Sequence, residues 1–338
     1  MRQSFALGVV LCLTGTVLLG QEGPYHPGPV IPIGGEGGWD YLSVDSAAHR
    51  LYVSHATHVV VIDTQANKVV GDIPDTPGVH GFIAVPELGK GFSSNGRGNN
   101  VSVVDLKTLK LIQKIDTGEN PDTIVYDAAK KEVYTMNGRG KSASVIDTAT
   151  GKVVATIPLE GKPEAAQVDS KAGKIYVNME DLNSVKVIDT ATRKVSATWP
   201  GAPCEAATGM AFDVATHRLF LGCDNKLMVM MDSTNGKVVY SVPVGEGVDA
   251  TSFDPQTRLA FTSNGGAGTV TVAHEDSPAL LKVVQTIKTV RGARTMTLDP
   301  ATHTIYVAAT DYEPQAPGSK DRPKAVTGTF RVLTYQMK

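Results

Sequence analysis

Six aspartates, Asp45, Asp127, Asp169, Asp213, Asp254 and Asp299, each close a short run in which apolar and polar residues alternate. Five positions upstream of them stand Asp40, Asp122, Glu164, Thr208, Asp249 and Arg294. Gly81 aligns as the corresponding residue of a unit that lacks the aspartate; His80 sits beside it, and Glu205 precedes the Thr208 run. Several carboxylates at one recurring position have chemical meaning if the fold gathers those positions. Asp40, Asp122, Glu164 and Asp249 would then suit Ca²⁺ or another divalent cation, since hard cations take oxygen ligands. Arg294 would suit an anionic group, and a substrate could bridge the two. A carboxylate or His80 could also move a proton beside a polarised carbonyl.

A second recurring set ends the following runs and enters their loops: His55, Asn95, Arg97, Asn137, Arg139, Asn178, Asn225 and Asn264, with Glu180, Asp224 and Asp311. These residues could add hydrogen-bonding groups to the same place. The competing reading is that Asn-Gly pairs such as those at 95–96 and 137–138 are turns, because Asn and Gly tolerate left-handed backbone. An acidic ring could likewise be a solvated channel entrance. His55 and His58, three apart in extended chain, are expected to face opposite ways. His49, His217 and His303 recur in turns and read as repeat filler. The "GKS" at 140–142 lacks the first glycine of a phosphate loop and lies between strands.

The elements that must position these residues repeat. "VVVID", "VSVVD", "ASVID", "VKVID" and "MVMMD" end at Asp63, Asp105, Asp147, Asp189 and Asp232, a spacing of 42, 42, 42 and 43 residues. A second anchor, typified by "RLYVS" and "GKIYVN", occurs seven times, at Tyr52, Phe92, Tyr134, Tyr176, Phe220, Phe261 and Tyr306. Each unit reads as four short strands joined by turns, with a period of two and no sustained helical stripe. Four-stranded units of this length are propeller blades. The expected fold is therefore all-β, a seven-bladed β-propeller with blades at about 38–78, 79–120, 121–162, 163–204, 205–247, 248–292 and 293–338. The last unit lacks a fourth strand. The segment 28–35, "GPVIPIGG", has the form of a blade-ending strand and is expected to pair with the C-terminal blade and close the ring. In such a disc the starts of first strands and the ends of second strands converge on one mouth of the central channel, where a small ligand or cation would bind.

Residues 1–20, one Arg followed by an apolar run, have the layout of a signal peptide, and 21–338 are expected to form a single domain. No later apolar run is long enough to span a bilayer. Two cysteines follow the leader, Cys204 and Cys223, in what would be an oxidising compartment. A Cys204–Cys223 disulfide is expected, since the hairpin between them permits the bridge, though it does not force it. With 32 basic and 34 acidic residues and a formal charge of -2, the chain offers no nucleic-acid surface.

The "YV" of the second strand, the "VxVID" of the third, "TATGKVVATIPLEGKP" at 148–163 and the 42-residue period resemble the YVTN-repeat, YncE-like propellers, an extracytoplasmic group that includes surface-layer proteins. The resemblance runs from about residue 28 to 338. It implies a seven-bladed fold outside the cytoplasm, periplasmic or secreted. Its repeat residues are structural, so fold does not supply function. Two classes stay open. One is a monomeric binding or assembly protein presenting the polar, acidic mouth to a small molecule, cation or protein partner. The other is a metal-assisted, lactonase-like hydrolase or lyase using the same mouth.

Overall fold

Strand burial explains why the alternation is clean in some strands and lost in others. In the computed structural model, which describes residues 23–314 and 323–338, the third blade consists of Pro121–Asp127, Glu132–Asn137, Ser142–Asp147 and Lys152–Pro158, paired in that order from the channel outward. The two middle strands are buried along almost their whole length, because neighbouring blades cover both faces. The outer strand alternates between partly buried and exposed side chains. Five further four-stranded antiparallel sheets repeat this order, and a seventh sheet completes a ring of seven blades. The leader expected at 1–20 and the centre of the loop at 312–327 lie outside the described residues.

The core sits between blades. Tyr134, Met136, Val145 and Ile157 of the third blade pack against Ile175, Val177, Met179 and Ile188 of the fourth, all essentially inaccessible to water. Burying each such side chain contributes about 1.5–3 kcal/mol. The aspartates that mark the repeat are turn residues: Asp45 and Asp169 accept the backbone N–H three residues on, at 3.0 and 2.9 Å, and Asp147 accepts that of Thr150 at 2.7 Å. His49, His217 and His303 occupy left-handed backbone in the turns, with φ of 54°, 57° and 50°.

The N-terminal segment closes the ring. Tyr25–Pro27 pairs antiparallel with Arg331–Met337, and Ile31–Pro32 pairs with the same strand, as the outer layer of the last blade. The pairing thus begins three residues upstream of the expected 28–35. Gln285, on the outer strand of the sixth blade, accepts from Tyr25 N at 3.0 Å and donates to Tyr25 O at 2.8 Å. That side chain extends the latch to the neighbouring blade.

Candidate functional site

Every complete blade breaks the register of its innermost hairpin at the same place. The pairing jumps between Trp39 and Leu42, Val79 and Phe82, Pro121 and Ile124, Pro163 and Ala166, Ala207 and Gly209, and Val248 and Thr251. A β-bulge re-aims side chains away from the regular pleat. Here it frees the second residue of each inner strand to face the channel mouth. Those residues are Asp40, His80, Asp122, Glu164, Thr208 and Asp249, with Arg294 leading into the shorter seventh inner strand, Met296–Asp299. His80, not Gly81, is therefore the second blade's member. The alignment slips because that strand ends in Val85 instead of aspartate. Gly81 stands in the bulge, its N–H donating to Ser94 Oγ at 2.9 Å.

His80 Nδ1 is 2.6 Å from Asp40 Oδ2 and 3.6 Å from Asp122 Oδ1, and one donor atom from each of the three residues falls within 4.8 Å of the others. Burial opposes charge on His80, yet the hydrogen bond to Asp40 and the charges of Asp122, Asp40 and Glu164 raise its pKa to about 9. An imidazolium therefore sits among these carboxylates at neutral pH. Burial, then repulsion from Asp40, pushes Asp122 up to about 7, and burial, then Asp122, pushes Glu164 up to about 8. Lys162 Nζ lies 3.1 Å from Glu164 Oε2 and also bonds Glu180. Asp249, raised to about 6 chiefly by burial, has its Oδ2 3.6 Å from Arg294. Arg294 also donates to Trp39 O at 3.0 Å and lies over the Trp39 ring. The expected four-carboxylate group divides accordingly: Asp40 and Asp122 share His80, while Glu164 and Asp249 face their own cations. Asp122 Oδ1, Glu164 Oε2 and Asp249 Oδ2 are buried without a hydrogen bond, the last two facing their cations only as ion pairs. Directly below, Thr123 donates to Tyr41 Oη at 3.0 Å, and burial and the mouth carboxylates hold that phenol neutral.

Of the remaining expected residues Glu180 reaches the ring through Lys162, and those that follow do not join it. Asn95, Asn137 and Asn264 are fully buried and turned into their own blades. Asn137 donates to Ser142 and Ser144 at 3.0 Å and accepts from Thr135 at 3.1 Å. Asn95 and Asn264 repeat the pattern with Asn100 and Ser102, and with Thr269 and Thr271. Asn178 stands one residue earlier in its strand, in the place of Ser94, and donates to Gly209 O of the next blade at 3.0 Å. Asn225 holds the loop of the disulfide, donating to Pro203 O at 2.8 Å and accepting from Glu205 N. Arg97, Arg139 and Glu205 are exposed. His55 is buried and stacked on Phe330 at 4.4 Å, and burial, then His58, lowers it to about 4. Contrary to the extended-chain expectation, His55 and His58 pair directly across a tight hairpin, with ring centroids 5.0 Å apart. Cys204 and Cys223 form a disulfide with Cα atoms 5.4 Å apart.

Sequence reasoning missed Lys162 and Asn120, whereas Glu180, expected at the mouth, does reach it through its ion pair with Lys162. Lys162 and Asn120 directly precede the Pro163 and Pro121 that open inner strands, and Asn120 Nδ2 is 3.1 Å from His80 Nε2. Their position before an inner strand is the signal that could have found them.

No family model matches the chain. It is similar to the uncharacterized protein YncE of Salmonella typhi and to that of Salmonella typhimurium, each 30% identical over 95 residues. The match covers 28% of this chain and spans 27% of each relative's length. The fold is similar to a chain of Kuenenia stuttgartiensis hydrazine synthase, with a TM-score of 0.70, 17% identity, and coverage of 80% of this chain and 92% of that one.

Proposed function

We propose that this YncE-like seven-bladed propeller is a non-catalytic binding protein that receives a cationic group of a small ligand, or a cation itself, at the acidic mouth of its channel. One observation carries the reading: the mouth gathers five carboxyl groups, Asp40, Asp122, Glu164, Glu180 and Asp249, around the three cations His80, Lys162 and Arg294, and leaves three buried carboxyl oxygens, Asp122 Oδ1, Glu164 Oε2 and Asp249 Oδ2, without a hydrogen bond. A buried acceptor without a donor costs about 1–3 kcal/mol, a penalty that an arriving cation or N–H donor removes. Inner strands held between neighbouring blades place the ring on rigid backbone, which suits binding without rearrangement. The Cys204–Cys223 disulfide supports a periplasmic or secreted location, since such bridges persist in oxidising compartments. Among the described residues no helix is long and apolar enough to cross a membrane.

The test is thermal unfolding of the wild type and of the Asp40→Asn, Asp122→Asn, Glu164→Gln, Asp249→Asn variant, with spermidine, CaCl₂, MnCl₂ or ZnCl₂ added. At least one of these cations should raise the wild-type melting temperature by several degrees and leave the variant unmoved. An equal response in both proteins, or none in either, overturns the reading.

A further inference from the structure

We propose that Asp40, His80 and Asp122 form a site for a divalent transition-metal ion of the Mn²⁺-to-Zn²⁺ class, in preference to Ca²⁺. This inference rests on the cation-receiving mouth and specifies what one part of it takes. The three donors come from the second residues of inner strands in three consecutive blades, each set by the same bulge. Their separations of 2.6 and 3.6 Å from the imidazole nitrogen bracket the edge of a coordination polyhedron, about 3.0–3.4 Å for bonds of about 2.0–2.1 Å. Small side-chain shifts, with the arriving ion displacing the Nδ1 proton of His80 to solvent, would bring them onto a common centre.

Asp122 supplies an independent indication. Its side chain comes from a residue only 7% exposed, and its Oδ1 points into the cluster with no hydrogen-bond donor. A carboxylate whose sole purpose was to neutralise His80 would be hydrogen-bonded to it, as Asp40 is. Other His–Asp pairs show the contrast: His274 with Asp276 at 2.5 Å and His303 with Asp254 at 2.6 Å. Among the described residues only the group at His80 brings a third such donor within reach.

The donor chemistry selects the ion. One imidazole with two carboxylates matches Mn²⁺, Fe²⁺ or Zn²⁺, whereas Ca²⁺ asks for six to eight oxygens. The other two ring carboxylates do not supply them, because Lys162 stands beside Glu164 and Arg294 beside Asp249. Asn120 completes the arrangement. With its amide O and N exchanged, Oδ1 would accept from His80 Nε2–H, the outer hydrogen bond that orients a ligating imidazole.

The experiment is isothermal titration of the purified protein, stripped with chelator and dialysed, using ZnCl₂, MnCl₂, CaCl₂ and spermidine in turn. One Zn²⁺ or Mn²⁺ per chain should bind at least ten-fold more tightly than Ca²⁺. Binding should weaken at least ten-fold in His80→Ala and in Asp122→Asn, and stay unchanged in Asp276→Asn, which alters a His–Asp pair lacking the third donor. Should His80→Ala fail to fold, His80→Gln gives the same comparison, with circular dichroism reporting the fold. Ca²⁺ binding as tight as Zn²⁺ and Mn²⁺, or transition-metal binding indifferent to both His80 and Asp122, overturns the site. Spermidine binding that depends on Asp122, with no metal bound, overturns the metal site and keeps the cation-receiving mouth. Failure of all four cations overturns both.

Discussion

At the scale of the residue, the same side-chain type does different work according to where its backbone stands. Aspartates at strand ends cap turns, aspartates at the bulges face the channel, and the two populations are five residues apart in a single strand, as Asp40 and Asp45 show. Asparagine divides similarly: Asn137 joins two strands of its own blade, whereas Asn178 ties its blade to the next. Buried acids away from the mouth also leave a mark on stability. Glu275 is fully buried, with Oε1 accepting from Thr216 at 2.9 Å and Oε2 unpartnered; burial above all, and Asp213 in addition, pushes its pKa up to about 7. Between the ordinary value of 4.5 and 7 the folded chain keeps a proton that the unfolded chain has released. Stability from this group is therefore complete below about pH 4.5 and falls as pH rises through 7. Glu275→Gln mimics the protonated acid and should be more stable than wild type at pH 8 by about 1–3 kcal/mol, the gap closing near pH 4.5. Urea midpoints at the two pH values check this; an equal gap at both would contradict the assignment.

At the scale of the element, the bulge is the device that converts a repeat into a site. A regular inner hairpin would alternate its side chains between neighbouring blades, and the second residue would pack there. The break frees backbone groups that the second strand then satisfies. Ser94 accepts from Gly81 N and donates to Asp122 O, and Ser263 accepts from Ala250 N and donates to Arg294 O. The fifth blade carries the disulfide at its innermost hairpin, where Ala207 pairs with Cys223. A bridge with a sequence separation of 19 restrains the unfolded chain by about 3 kcal/mol on the chain-entropy estimate. The double Cys→Ser variant should lose about that much in urea denaturation. Alkylation of the unreduced, denatured protein lacking residues 1–20, and so lacking Cys12, should add no label, and two labelled thiols would show that the bridge does not form.

At the scale of the whole molecule, stability depends on the ring being closed. Without the N-terminal segment the last blade would present Arg331–Met337 as a bare edge, a template for pairing with other chains. Tyr25 and Ile31 would also leave the core, Tyr25 from its edge-on contact with Phe261 at 5.3 Å. Deleting residues 23–33 should lower stability by several kcal/mol, on the order of 5 from the lost apolar burial and ladder bonds. It should also promote association visible by light scattering. A melting temperature equal to that of the full chain would show that the last blade holds without its outer strand.

The sequence by itself determined the architecture, because a blade is a local object. Turn aspartates, strand alternation and a 42-residue spacing are written within each unit and need no knowledge of the neighbours. The identity of the ring position was also legible wherever the aspartate anchor was present, from Asp40 to Arg294. The second blade hid His80, since with Val85 in place of the anchor no spacing ruler remained. Tertiary structure alone decided how the ring divides. Whether Glu164 meets Lys162, or Asp249 meets Arg294, depends on side chains from loops and adjacent blades, 45 residues apart in the second case. It decided as well that Asn95, Asn137 and Asn264 turn inward: a strand-end amide has partners in its own hairpin and in the mouth, and only the packed register shows that the hairpin takes them.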